Sequence, residues 1–349
     1  MKLNKVFIIA LTIILITNSS CEVHDSTPNK ALPPIPAQIK GPFEVNGNQL
    51  TENGKPAFFY GVNAMQTFGL GNPELMKDWN IKIVREFIGN LGEQPVDGYP
   101  IRGSDNKWYH PLQRIVEQNR SQNIITILCP FGWVNPTGEQ ILFAGLNPSE
   151  QNFYTAYKTK MREIAEHFKD QPDVWIQVWN EPYHWNNENG YTHEIWLRDM
   201  SEMVDNLRWV NGFHNLIIVP GNEMGQSENA ILSHGKQLTD NRFNIVFDLH
   251  AYEKWLVNTS ENQIKERLLG IKNKGIPFIF GEVGVQNVGA VMEVNHFLQA
   301  ADSHEISVLA WLWVQNSQYK NALLDEGGEP NSTPSNNHWG EVFKNFLRE

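Results

Sequence analysis

Two cysteines, Cys21 and Cys129, stand in 349 residues, too few for a disulfide framework, so the fold must be held by its core. No Cys-x-x-Cys pair and no Cys/His cluster with ligand spacing occurs, which leaves zinc chemistry unsupported. Positive charge is scarce as well. Lys and Arg total 28 against 39 Asp and Glu, a net charge of -11 that repels a phosphate backbone and argues against a nucleic-acid partner. The apolar run 6–16 is shorter than the roughly 18 residues a membrane-spanning helix needs. No internal repeat is visible, and no GxGxxG turn follows the first strand-like run, which counts against a doubly wound dinucleotide-binding sheet.

What is present is an ordinary globular balance, 41% hydrophobic and 19% charged, enough to bury a sizeable core. Aromatics are plentiful, with 12 Trp, 9 Tyr and 18 Phe. Most such rings belong to cores, but the remainder suit the apolar C–H faces of sugars, which stack on flat side chains.

The beginning of the chain reads as a targeting segment: Lys2 and Lys5 precede the apolar run, and the small residues Ser19 and Ser20 stand before Cys21. This layout resembles that of bacterial lipoproteins, in which a small residue marks the cleavage point and the next Cys is lipidated, although Asn18 stands where that motif usually has Leu. The resemblance implies a signal peptide over 1–20, lipidation of Cys21, and a tether over 21–41 stiffened by Pro33, Pro34 and Pro36. The protein is then expected in the cell envelope, anchored to a membrane at the outer membrane or periplasm. Ordinary cleavage near Ser20 is the alternative, with Cys21 a free thiol and the protein secreted.

From Ala57 onward, short apolar runs alternate with longer amphipathic segments, the pattern of parallel strands separated by crossover helices. The expected strands are 58–62, 81–87, 124–129, 174–179, 216–219, 245–249, 278–281 and 307–313. Helical spacing is clearest over 153–168, where Tyr157, Met161, Ile164, Ala165 and Phe168 share a face, and recurs over 195–211 and 264–274. A hairpin over 43–48 suits the bottom of a barrel. Eight strands alternating with helices predict an α/β fold of one domain over 42–349, a closed (β/α)8 TIM barrel with its chemistry at the C-terminal strand ends.

Those ends carry Asn63, Arg85, Trp133, Asn180-Glu181-Pro182, Asn222-Glu223, His250-Ala251-Tyr252, Glu282, and Trp311 with Trp313, one group per strand. A structural barrel would need only turn residues there. Glu181 and Glu282, on strands four and seven, supply the two carboxyls that glycosidic cleavage requires, one protonated and one ionised. A gap of about 5 to 5.5 Å between them would mean retention of configuration, about 6.5 to 9.5 Å inversion. Taken singly, Arg85 could bridge surface carboxylates and His250 could be a core histidine.

The runs Val178-Trp179-Asn180-Glu181-Pro182, Asp248-Leu249-His250-Ala251-Tyr252 and Phe280-Gly281-Glu282-Val283-Gly284 resemble glycoside hydrolase family 5. The resemblance covers the barrel from Phe58 to Trp313. It implies Glu181 as acid/base, Glu282 as nucleophile, Arg85 holding the nucleophile ionised, and Asn180 binding the sugar 2-hydroxyl. It further implies that His250 and Tyr252 orient the carboxyls and that Trp311 is the platform under the sugar. Many members carry a His after strand three; this chain reads Cys129-Pro130-Phe131-Gly132-Trp133, so Phe131 or Trp133 is expected to offer a stacking surface instead. Asn63, Glu223 and Trp313 are further expected substrate contacts, with helix capping the alternative for Glu223 and deeper packing the alternative for one of Trp311 and Trp313. Long loops over 90–111 and 131–148, with Trp185 and Trp255, suit an open cleft. The expected activity is internal cleavage of β-1,4-linked polysaccharide without cofactor or metal. β-Mannan stands ahead of β-glucan on the form His250-Ala251-Tyr252-Glu253. A cellulase or exo-acting β-glycosidase of the same family, and a surface lipoprotein that binds glycan without cutting it, are the alternatives.

Overall fold

The computed structural model describes residues 41–348. The expected signal peptide, Cys21 and nearly all of the tether lie outside the described residues. Among those described, no helix is long and apolar enough to cross a membrane.

Eight parallel strands close into one barrel in chain order: Tyr60–Ala64, Ile83–Ile88, Ile125–Pro130, Val174–Gln177, Ile217–Pro220, Ile245–Ala251, Phe278–Val283 and Val308–Ala310. Each lies within an expected run or overlaps it, and most begin one or two residues later. Ile81 shows why: its amide donates to Met76 O in the closing turn of the preceding helix, so this apolar residue belongs to the turn and not to the ladder. The last strand is the largest departure. It stops at Ala310, so period-two alternation does not extend to Trp311 and Trp313.

Side chains pointing out of the barrel, such as Val62, Val84, Leu128, Ile176 and Phe280, join one apolar layer with the helices. The helix Tyr154–Phe168 buries the five residues that its spacing singles out. His193–Arg208 begins at Thr192, whose hydroxyl accepts from Ile195 N, and Glu261–Lys272 begins with a reciprocal Ser260/Gln263 capping box. Inside the lower half of the barrel a second apolar cluster holds Phe59, Ile83, Ile127, Trp175, Ile218, Val246, Ile279 and Leu309. The hairpin Phe43–Asn46 and Gln49–Glu52 plugs it from below, with the Phe43 ring edge-on to Phe59 and Trp175 at 6.0 and 5.5 Å. The expected floor is therefore real and wholly apolar.

Both long loops carry their own structure. The second contains the strand Ala144–Leu146, which pairs in parallel with Glu181–Pro182. Its carbonyls at Phe143 and Leu146 accept from the amides of Glu181 and Tyr183, and so pin the backbone on either side of Glu181.

Candidate active site

Two residues further up the strands, the barrel interior changes character. Arg85 points inward two residues above Ile83 and is fully buried, which rules out the surface bridge. Its guanidinium makes four hydrogen bonds: Nη1 donates to Glu282 Oε1 at 2.7 Å and to Asn63 Oδ1 at 2.9 Å, Nη2 to Asn180 Oδ1 at 2.7 Å, and Nε to Gln177 Oε1 at 2.7 Å. Five donors in a rigid fork suit this work, which Lys could not copy.

Strict alternation would turn Glu282 out of the barrel, because Ile279 and Gly281 already point in. A register shift resolves this. Leu249 pairs with Phe280 but His250 pairs with Glu282, so Gly281 is an extra residue and the bulge re-aims Glu282 inward. Only glycine fits at that position, since a Cβ on Gly281 would lie 2.3 Å from Asp248 Oδ1, which accepts the Gly281 amide at 2.6 Å. Glu282 Oε2 accepts from the Tyr252 hydroxyl at 2.8 Å. Burial pushes the Glu282 carboxyl up, while the His250 and Arg85 charges pull it back.

Glu181 is the more open of the two, its side chain 14% exposed against 4% for Glu282. His250 stands between them, Nδ1 2.8 Å from Glu181 Oε1 and 3.6 Å from Glu282 Oε2, and Nε2 3.2 Å from Asp248 Oδ2. Burial alone would lower the imidazole pKa, but the surrounding carboxylates, Glu282 and Asp248 first, push it up to about 10. His250 is thus an imidazolium at neutral pH, donating from Nδ1 to Glu181 Oε1 and from Nε2 to Asp248 Oδ2. Carboxylate oxygens of Glu181 and Glu282 and a ring nitrogen of His250 all lie within 4.8 Å of one another.

Asn180 has its carbonyl committed to Arg85, and its buried Nδ2 has no protein partner, so a donor is left over at the base of the site. Cys129, beneath it, is buried and its thiol is pushed up to about 12, hence neutral.

Four expectations need correction. Asn63 has no group to spare for substrate: Nδ2 donates to Gly281 O and Ala310 O, and Oδ1 accepts from Arg85. Trp313 is buried edge-on to Trp79 at 4.9 Å and is core. So is Trp255, packed against Phe280 at 4.9 Å. Glu223 caps nothing, because the following helix Asn229–Thr239 starts after Glu228; it pairs instead with Lys254 at 2.6 Å, whose ammonium lies over the Trp185 ring. Trp311, by contrast, is only partly buried, its indole N–H donating to the Tyr319 hydroxyl at 2.7 Å. Phe131 stacks beside it at 5.7 Å, whereas Trp133 lies on Phe153 in a separate stack. Sequence reasoning missed Gln177 and Asp248 as site residues. The available signal was a lone polar side chain at an inward position of an apolar strand.

A sequence model of the cellulase family, glycosyl hydrolase family 5, matches residues 47–317. The β-mannanase/endoglucanase A of Caldicellulosiruptor saccharolyticus is 28% identical over 176 residues, 49% of this chain and 12% of that one. The mannan endo-1,4-β-mannosidase of Cellvibrio japonicus is 25% identical over 152 residues, 43% of this chain and 34% of that one. These alignments span only a minor part of either relative. Among solved structures, the catalytic domain of a mannanase from Streptomyces sp. SirexAA-E superposes with a TM-score of 0.67 at 18% identity, covering 93% of this chain and 98% of that one.

Proposed function

Since the chain belongs to glycosyl hydrolase family 5, we propose that it cleaves internal β-1,4 linkages of a polysaccharide, β-mannan ahead of β-glucan, by double displacement with retention. The observation that carries this reading is that one oxygen of each carboxyl and a ring nitrogen of His250 lie within 4.8 Å of one another, the close facing arrangement that a retaining pair needs.

Glu282 is the nucleophile: it is buried, and Arg85 and Tyr252 fix both of its oxygens. Glu181 is the acid/base, open enough to reach a leaving group and then water. Its Oε1 accepts from His250, so the transferable proton sits on Oε2. In the first step a Glu282 oxygen bonds to the anomeric carbon as the C–O bond to the leaving sugar breaks, and the Glu181 proton passes to that oxygen. In the second, ionised Glu181 takes a proton from water, the water oxygen bonds to the anomeric carbon, and Glu282 departs as carboxylate. Asn180 Nδ2, held in one orientation by Arg85, is the donor for the 2-hydroxyl, and Trp311 the platform under the ring. A pure glycan binder has no use for two carboxyls so closely held.

The names of the two curated relatives and the His250-Ala251-Tyr252-Glu253 form favour mannan. Mannosyl and glucosyl units differ only at the 2-hydroxyl, so the preference rests on few contacts. Reducing ends released from β-mannan and β-glucan decide it: faster release from mannan is expected, and release from glucan alone would reverse the assignment.

Export and anchoring through Cys21 are proposed on the sequence of the first 21 residues. Wild-type protein should partition into detergent and the Cys21→Ala variant into the aqueous phase; identical partitioning would leave secretion as the reading.

A further inference from the structure

Between the two proposed reacting carboxyls runs a second, indirect connection through the barrel interior. Glu282 is held by Arg85; Arg85 Nε donates to Gln177 Oε1 at 2.7 Å; Gln177 Nε2 donates to Asp248 Oδ2 at 2.9 Å. Asp248 in turn faces His250 Nε2 at 3.2 Å, and His250 Nδ1 faces Glu181 at 2.8 Å. Arg85, Gln177, Asp248 and His250 are all buried, so water cannot replace a broken link. We infer that Gln177 and Asp248 are positioning residues, a buried amide–carboxylate bridge that fixes Arg85 against Glu282 and His250 against Glu181 as one unit. The inference rests on the proposed roles of the two glutamates and concerns what holds them.

The bridge has one workable polarity. Arg85 Nε can only donate, so the Gln177 carbonyl must face it and the Gln177 amino group must face Asp248. Asp248 accepts from Gln177, from His250 and from the Gly281 amide, and nothing in the chain's own geometry lets a neutral side chain serve all three. The charged groups facing His250 are Asp248, Glu181 and Glu282; on its remaining side the backbone of Gly225 covers the ring, where a Cβ would lie 3.0 Å from it. Nδ1 faces Glu181 and Glu282 and Nε2 faces Asp248, so a neutral imidazole, with one N–H, could donate on only one of these sides. The Asp248 charge therefore keeps the second proton on His250, and the resulting cation favours the ionised state of Glu282.

Two near-isosteric changes and their combination test this. Asp248→Asn sets its amino group either against the Gln177 amino group or, with the amide turned round, against the Gly281 amide, and turning Gln177 instead only moves the conflict to Arg85. Gln177→Glu sets carboxylate against carboxylate. Each single variant is expected to lose about 10- to 100-fold in kcat with KM within about twofold. In Asp248→Asn the acidic limb of the pH–rate profile should also move up by roughly one unit, because His250 loses the counter-ion that holds its second proton and Glu282 then loses a facing cation. The combined variant restores donor to acceptor along the bridge and should recover at least about tenfold over either single variant, while its acidic limb stays displaced. A merely structural role would lower the amount of folded enzyme and leave the limbs in place. Single variants within twofold of wild type with unmoved limbs, or a combined variant no better than the worse single one, would overturn the inference. If the single variants do not fold, recovery of a wild-type melting temperature by the pair supports it and failure to recover contradicts it. Because the recovery is read in melting as well as in turnover, it stands or falls apart from the assignment of nucleophile and acid/base.

Discussion

The lower and upper halves of the barrel interior are built on the same strands and differ completely. Two residues of rise separate Ile83 from Arg85, Trp175 from Gln177, Val246 from Asp248, and Ile279 from Gly281, and each step crosses from hydrocarbon to a hydrogen-bonded charge network. Below, stability comes from removing apolar area from water and needs only shape and volume. Above, polar side chains are tied to one another, and the buried Asn180 Nδ2 is left as a donor with no protein partner. The floor thus makes the mouth affordable: a sealed apolar plug lets a network of buried charges keep fixed geometry without solvent.

Three changes would break or sharpen this contrast. The largest effect is expected for Glu282→Gln, which should reduce turnover by at least about 10⁴-fold while polysaccharide retention and melting change little; residual turnover within tenfold of wild type would remove Glu282 from the chemistry. Phe43→Ala should do the reverse. Loss of the floor ring should lower stability by about 3 to 5 kcal/mol, measured by denaturant unfolding, with turnover per folded molecule unchanged; a drop in that turnover would mean floor and mouth are not separable. The smallest effect concerns Glu86, which points outward beside Arg85. Its Oε1 accepts from Thr67 N at 2.8 Å and its buried Oε2 has no protein partner. Burial pushes this carboxyl well above 4.5, and the hydrogen bonds from Thr67 only partly offset that. The folded state therefore holds a proton that the unfolded chain releases, so this group's stability contribution is complete below about pH 4.5 and is lost as pH rises toward its folded value. Glu86→Gln should melt like wild type near pH 4.5 and a few degrees higher by pH 8; a gap independent of pH would contradict the sign.

Much of the barrel was legible because its outward face and its lower interior are both apolar, so each strand reads as a short continuous run. The acid pair and Arg85 were legible from strand-end position. What escaped depends on closure. Gln177 and Asp248 are separate polar residues until the register of strands four and six brings them to 2.9 Å. The Gly281 bulge hides in sequence because it violates the alternation used to read strands, yet without it Glu282 would face the helices. Trp313 and Trp255 misled because a large aromatic near a strand end serves core and cleft equally well, and only packing against Trp79 and Phe280 separates the two. Asn63 misled in the opposite sense, a strand-end amide consumed in holding Arg85.

The most direct test is the configuration of the first product. Proton NMR of a β-mannan oligosaccharide digest, recorded before mutarotation, should show the new reducing ends appearing as the β-anomer. Initial appearance of the α-anomer would mean a single displacement by water and would contradict Glu282 as nucleophile.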